Sequence, residues 1–179
     1  METGRYAKKY TDIVRDIKNN VNSTYIHNLC EMNVDYSYPV NNSKIYKYID
    51  ISQVNTPLYN GRIMCGSKLP GRAKNKVNKN DIIISRLRGS ISYSVILEDD
   101  IIVTNGMCVL RPKNMTALLT ILSNLNTEYF KIQHQSLTTG SIMECISDKD
   151  IHNILIYQDC NIERYKKIYD AMITLNELF

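Results

Sequence analysis

Several kinds of side chain in this 179-residue chain are suited to act on a partner, and spacing separates them. Glu98-Asp99-Asp100 is a carboxylate cluster of the sort that holds a divalent ion in a nuclease. No Glu-x-Lys follows on a later strand, so the cluster reads as an acidic turn. His27, His134 and His152 stand far apart, none at metal-ligand spacing from another His or Cys. Cys30, Cys65, Cys108, Cys145 and Cys160 are odd in number and never paired as Cys-x-x-Cys, so reduced, mostly buried thiols are expected, with neither a disulfide framework nor zinc. Glycines are too dispersed to cradle a phosphate in a Gly-rich loop. Neither a catalytic constellation nor a cofactor or metal site is therefore expected.

Basic side chains form the pattern that remains. Between Asn60 and Ser90 lie Arg62, Lys68, Arg72, Lys74, Lys76, Lys79, Arg86 and Arg88 against one acid, Asp81, a local charge of +7 in a chain whose net charge is +4. Such concentration is the footprint of a surface that meets phosphate. A second run, Gln133-His134-Gln135-Ser136 followed by Thr138-Thr139, carries amides and hydroxyls that match base edges and backbone oxygens, glutamine being the bidentate partner of adenine.

These groups need elements to hold them. The basic stretch opens as a loop at Pro70-Gly71, turns at Asn78 to Asp81, and enters Ile82-Ile83-Ile84, whose unbroken apolar character predicts a buried strand. Ile45 to Ile51 alternates an aliphatic face with an aromatic and polar one, as a strand does. Ser92 to Leu97 and Ile101-Ile102-Val103 read as further strands, with Met107 to Leu110 as a bulge or hairpin partner beyond Asn105-Gly106. Apolar residues recur at three and four from Tyr6 to Val21, from Leu118 to Leu125 and from Ile162 onward, predicting helices, the second capped by Asn114 or Thr116. Tyr129 to Ser141 is expected to be a polar and aromatic stretch closed by Gly140. With 44% hydrophobic and 22% charged residues the composition is that of a globular domain. There is no bilayer-spanning apolar run and no signal-peptide core at the N-terminus, so an intracellular, cytoplasmic protein is expected.

In order along the chain, Ile26-His27-Asn28-Leu29-Cys30-Glu31, Tyr48 to Asn55, Leu69-Pro70-Gly71-Arg72-Ala73-Lys74, Val77 to Gly89, Val103-Thr104-Asn105-Gly106 and Gly140-Ser141-Ile142 resemble a target recognition domain of the specificity (S) subunits of type I restriction-modification systems. The set spans Tyr25 to Tyr157. It departs from the family at Asn80, commonly Gly there, and at Tyr157-Gln158-Asp159, commonly Pro-rich. The resemblance implies a mixed α/β (α+β) fold, with a curved β-sheet docking loops against the DNA major groove between flanking helices. It also implies no catalytic activity or cofactor, and methyltransferase and restriction subunits as partners. The expected organisation is an N-terminal helix over residues 1–23, a recognition domain over 24–157 and a spacer or dimerisation helix over 158–179.

Expected DNA contacts are Arg72, Lys74, Lys76, Arg86, Arg88, Lys131, Gln133, His134, Gln135 and Thr138, while Asp81, Gly89, Gly106 and Gly140 fit turns. A complete S subunit holds two recognition domains and this length holds one, so a half-length homodimer is expected. Ile162, Tyr165, Tyr169 and Met172, with Asn176 and Phe179, form the three-four seam that would join two chains, the N-terminal helix being the intramolecular alternative. Two other functions compete: a stand-alone DNA-binding protein of the same fold, and a small enzyme whose site carries no recognised motif.

Overall fold

A computed structural model describes residues 2–88, 91–139, 144–158 and 161–178. In chain order the elements are α1 (Glu2–Lys18), β1 (Ser23–Tyr25), β2 (Cys30–Met32), β3 (Ile45–Ile49), β4 (Val54–Asn55), β5 (Leu58–Tyr59), β6 (Arg62–Cys65), β7 (Ala73–Val77), β8 (Ile82–Ser85), β9 (Tyr93–Val95), β10 (Ile101–Thr104), β11 (Met107–Pro112), α2 (Met115–Leu125), α3 (Glu128–Ser136), α4 (Asp148–His152), β12 (Leu155–Tyr157) and α5 (Ile162–Leu178). The mixed α/β class is as the sequence predicts, and its main strands divide into two four-stranded sheets. One sheet runs β6-β3-β10-β7, with β10 parallel to β3 and antiparallel to β7. The other runs β2-β11-β8-β9, antiparallel throughout.

Strand alternation builds the layers. Ile83, Met107 and Val109 face Ile49, Val77, Ile101 and Val103 across the space between the sheets. Ile82, Ile84, Cys108 and Leu110 point the other way, onto Leu118, Leu122, Leu125, Phe130, Tyr169 and Met172 of the helices. The triple-isoleucine strand is thus covered on both faces, which is why it reads as an unbroken apolar run. On the remaining face of the first sheet, Tyr46, Tyr48 and Ile102 lie beneath Tyr38, Val40, Met64 and Leu69. The order of layers is helices, second sheet, first sheet, aromatic cover.

Three expectations change. Met107 to Leu110 does not pair with β10; after Asn105-Gly106 the chain crosses to the other sheet and β11 pairs with β8 and β2. Glu128–Ser136 is a helix, because Thr127 caps it by accepting from Phe130 N–H while Phe130 and Ile132 reach the core. The seam of α5 is covered by its own chain. Tyr169 and Met172 are 4% and 3% exposed, Ile162 and Tyr165 pack on the same cluster, and the Tyr169 hydroxyl donates to Asn80 Oδ1. The cover comes from α2 and the second sheet, while α1 lies against α3 and β12. Phe179, Gly89, Gly140, Ser141 and Ile142 lie outside the described residues.

Candidate nucleic-acid interface

β7 is an edge strand, and its alternation sorts its side chains. Ala73, Asn75 and Val77 are buried, while Lys74 is exposed and Lys76 half-buried. Pairing slips between Thr104↔Ala73 and Val103↔Asn75, so Lys74 sits at a bulge that bends the strand outward. Alongside runs the segment 35–38, held by Lys76 N–H to Asp35 O (3.3 Å), Tyr38 N–H to Lys74 O (3.0 Å) and a Tyr36–Asn75 bridge. One cross-strand row therefore reads Arg62, Tyr48, Ile102, Lys76 on a single face, an aromatic and aliphatic centre with a cation at each flank.

Local acids answer part of this charge. Arg72 pairs with Asp50, which raises its pKa, helped by the neighbouring Tyr48 hydroxyl. Lys76 pairs with Asp100 at 2.6 Å and lies 5.1 Å from the centre of the Tyr38 ring. The same contact draws the Asp100 carboxyl below its ordinary value, with Lys44 assisting. Asp100 belongs to the acidic turn noted in the sequence, and Glu98 beside it binds Lys47 at 2.5 Å. That cluster is a counter-charge to the basic stretch. Arg62, Lys68, Lys74 and Lys79 are exposed and form no ion pair among the described residues.

Asp81, read as a turn residue, is the hub of a buried network. Arg111 reaches it through two bonds, Nε to Oδ1 (2.9 Å) and Nη2 to Oδ2 (2.8 Å), and also binds Asp35 at 2.9 Å. Asn78 N–H donates to the same carboxylate. Asn80 beside it takes φ +73, the left-handed conformation its replacement of glycine requires.

The remaining expected contacts do not join this surface. Gln133 and His134 are 1% and 0% exposed, which removes them as base-reading groups. The Gln133 amide donates to Leu155 O (2.9 Å) and accepts from Leu155 N–H (3.0 Å), continuing the hydrogen bonding of β12 with a side chain. His134 Nε2 donates to Ser85 O at 2.9 Å. Thr138 caps the end of α3 by donating to Gln135 O (2.7 Å). Lys131 and Gln135 are half-buried on α3, in the helical layer, so the second sheet separates them from β7. Arg86 and Arg88 lie at the end of β8 and bind Asp148 and Glu144, each at 2.5 Å. With Arg88 N–H to Glu144 O and Ile146 N–H to Arg86 O, they staple residues 86–88 to 144–148. Charge patterning overlooked the acids that neutralise these cations, because they come from sequence-distant turns. Their one visible sign is that Asp50 and Asp100 each sit at a strand boundary.

Burial pushes the Cys30 thiol up to about 12 and the Cys108 thiol well above its ordinary value, consistent with structural roles. Among the described residues no group of three or more His, Cys, Asp or Glu is placed to hold a metal ion, and no helix is long and apolar enough to cross a membrane.

The edge strand of this mixed α/β domain carries an exposed lysine, Lys74, and a half-buried one, Lys76, beside an aromatic sheet face. The chain belongs to the family described as type I restriction modification DNA specificity domain, which it matches over residues 18–167. Its fold is that of the HsdS subunit from Thermoanaerobacter tengcongensis (TM-score 0.64, 19% identity, 87% of this chain and 43% of that one). A chain from a structure of the type I R-M system is similarly close (TM-score 0.65, 18% identity, 87% and 42%). The type IIG restriction endonuclease BpuSI contains the same fold (TM-score 0.60, 14% identity, 96% and 28%). The chain spans less than half the length of these solved chains. No curated protein matches it.

Proposed function

We propose that this chain binds duplex DNA sequence-specifically through β7 and the loop leading into it, and directs a methyltransferase and restriction partner without catalysing a reaction itself. The observation that carries this reading is the exposed Lys68 and Lys74, without an ion pair among the described residues, on the rim of a specificity-domain fold. Arg72 and Lys76 contribute as oriented donors whose carboxylate partners hold them at the rim. The fold in BpuSI belongs to an endonuclease, and the share of that chain matched here is the part this reading assigns to recognition. Two copies associate in the proposed assembly through the C-terminal end of α5, where Leu175 and Leu178 are 43% and 71% exposed, giving a two-fold reader of a bipartite site. The setting is the cytoplasm, where DNA and the partner subunits are reached.

An electrophoretic mobility shift over a salt series tests the reading. Lys68→Ala with Lys74→Ala is expected to weaken binding to all duplexes and lower the slope of log K against log salt by about two units, since each phosphate contact contributes about 0.9. Both side chains are exposed, so folding is unchanged. A double variant that binds as tightly as wild type at every salt concentration would show that this rim is not the interface.

A further inference from the structure

Of the tyrosines whose side chains are described, Tyr36 alone is mainly exposed, at 54%, and Val34 two residues earlier is 44% exposed. Between them Asp35 turns inward to Arg111 at 2.9 Å, so the turn at 33–36 leaves the apolar Val34 and Tyr36 exposed. It is also held at both ends. Asn33 N–H donates to Val109 O (2.8 Å), Val109 N–H donates to Asn33 Oδ1 (3.0 Å), and Tyr36 N–H donates to Asn33 O (3.2 Å). Asn33 and Ser37 take φ +47 and +58, left-handed conformations that non-glycine residues keep only where surrounding bonds over-determine them. The result is a preorganised tip presenting two apolar groups to water, on a segment bridged to Asn75 and hence about 5 Å, one strand spacing, from the strand that bears Lys74.

The chemistry of the tip narrows what it meets. Phosphate recognition draws on cations, N–H groups and hydroxyls; valine supplies none of these, and Tyr36 offers only its hydroxyl, at the end of an apolar ring. Base edges in the major groove offer one apolar group, the 5-methyl of thymine. We infer that Val34 and Tyr36 form a base-reading tip that contacts an A·T pair through the thymine methyl while the β7 lysines hold the backbone. This assignment rests on the DNA-specificity reading above. Because the tip is rigid before binding, little ordering entropy opposes the contact.

The test begins with selection of a preferred duplex from a random pool by the wild-type chain. Each thymine of that duplex is then replaced by deoxyuridine, which lacks only the methyl. For wild type, at least one replacement is expected to lower affinity several-fold, and Tyr36→Ala should be indifferent to that same replacement. Tyr36→Ala should also bind the selected duplex about tenfold more weakly, the size of one lost base contact, with unchanged affinity for a scrambled duplex and an unchanged melting temperature. Tyr36→Phe, which keeps the ring, should behave as wild type. Selected sequences and uracil sensitivity that are the same in wild type, Tyr36→Ala and Val34→Ala would overturn the inference while leaving DNA binding by the domain intact. A wild type that binds no duplex would instead overturn the reading on which it rests.

Discussion

Gln133 donates to and accepts from Leu155 through its amide, whose nitrogen also donates to Tyr129 O (3.3 Å). Replacing it by Ala leaves a buried N–H and a buried carbonyl without partners, which costs about 1–3 kcal/mol. Its expected signature is a lower denaturant midpoint with the DNA preference of the folded fraction unchanged; an altered preference at unchanged stability would return it to the interface. His134 beside it is buried, donates through Nε2 to Ser85 O, and has no hydrogen-bond partner for Nδ1 among the described residues. Burial lowers its pKa from the ordinary 6.5, the Ser85 bond opposing this. The unfolded chain therefore takes up this proton at higher pH than the folded one. The stability held by the neutral ring is fully present above pH 6.5 and is lost as pH falls through that value toward the depressed folded pKa. Denaturant titrations at pH 7.5 and 5.0 should show a larger loss for wild type than for His134→Gln, which cannot take up the proton; equal losses would place the titration elsewhere.

At the scale of the element, α5 carries an amphipathic pattern whose inward face is taken by its own domain. Tyr169 and Met172 dock on their own domain, leaving Leu175 and Leu178 outside. Met172→Ala should lower stability by about 2–5 kcal/mol, the cost of a core truncation, without changing oligomeric state. Leu175→Glu with Leu178→Glu should do the reverse. Unfolding and light scattering on the two variants check this, and a Met172→Ala protein that is as stable as wild type but of smaller mass would reverse the assignment of faces.

Over the whole molecule, eight cations between Asn60 and Ser90 do not amount to eight phosphate contacts. Arg86 and Arg88 are bound to Asp148 and Glu144, and Arg62 and Lys79 lie off β7 and the loop leading into it, so the four proposed contacts are Lys68 and Lys74 with Arg72 and Lys76 as oriented donors. The slope of log K against log salt per bound chain is accordingly expected near about −3.6 for four contacts, where the local charge of the sequence would demand about −6. A measured slope at the steeper value would mean that DNA displaces the carboxylates from their partners.

What the sequence by itself determined is what depends on neighbours in the chain: the triple-isoleucine strand, a helix start capped at Asn114 or Thr116, the left-handed turn at Asn80, the period of the terminal helices, and the ordered motifs that carry the family. Each follows from local backbone preference or from a face that repeats every two or 3.6 residues. Only the tertiary structure decided which polar groups face a partner. The Gln133 to Thr138 run has the composition of a base-reading loop, yet Thr127 starts a helix there, and Leu155, 22 residues away, consumes the amide. Asp50, Asp100, Glu144 and Asp148 pair with four of the eight cations of the basic stretch from positions that lie far off in sequence. Tyr36 looks like any of thirteen tyrosines until its backbone is seen pinned outward. Periodicity reports that a residue has a buried side; whether a long-range partner waits there is a property of the packed chain.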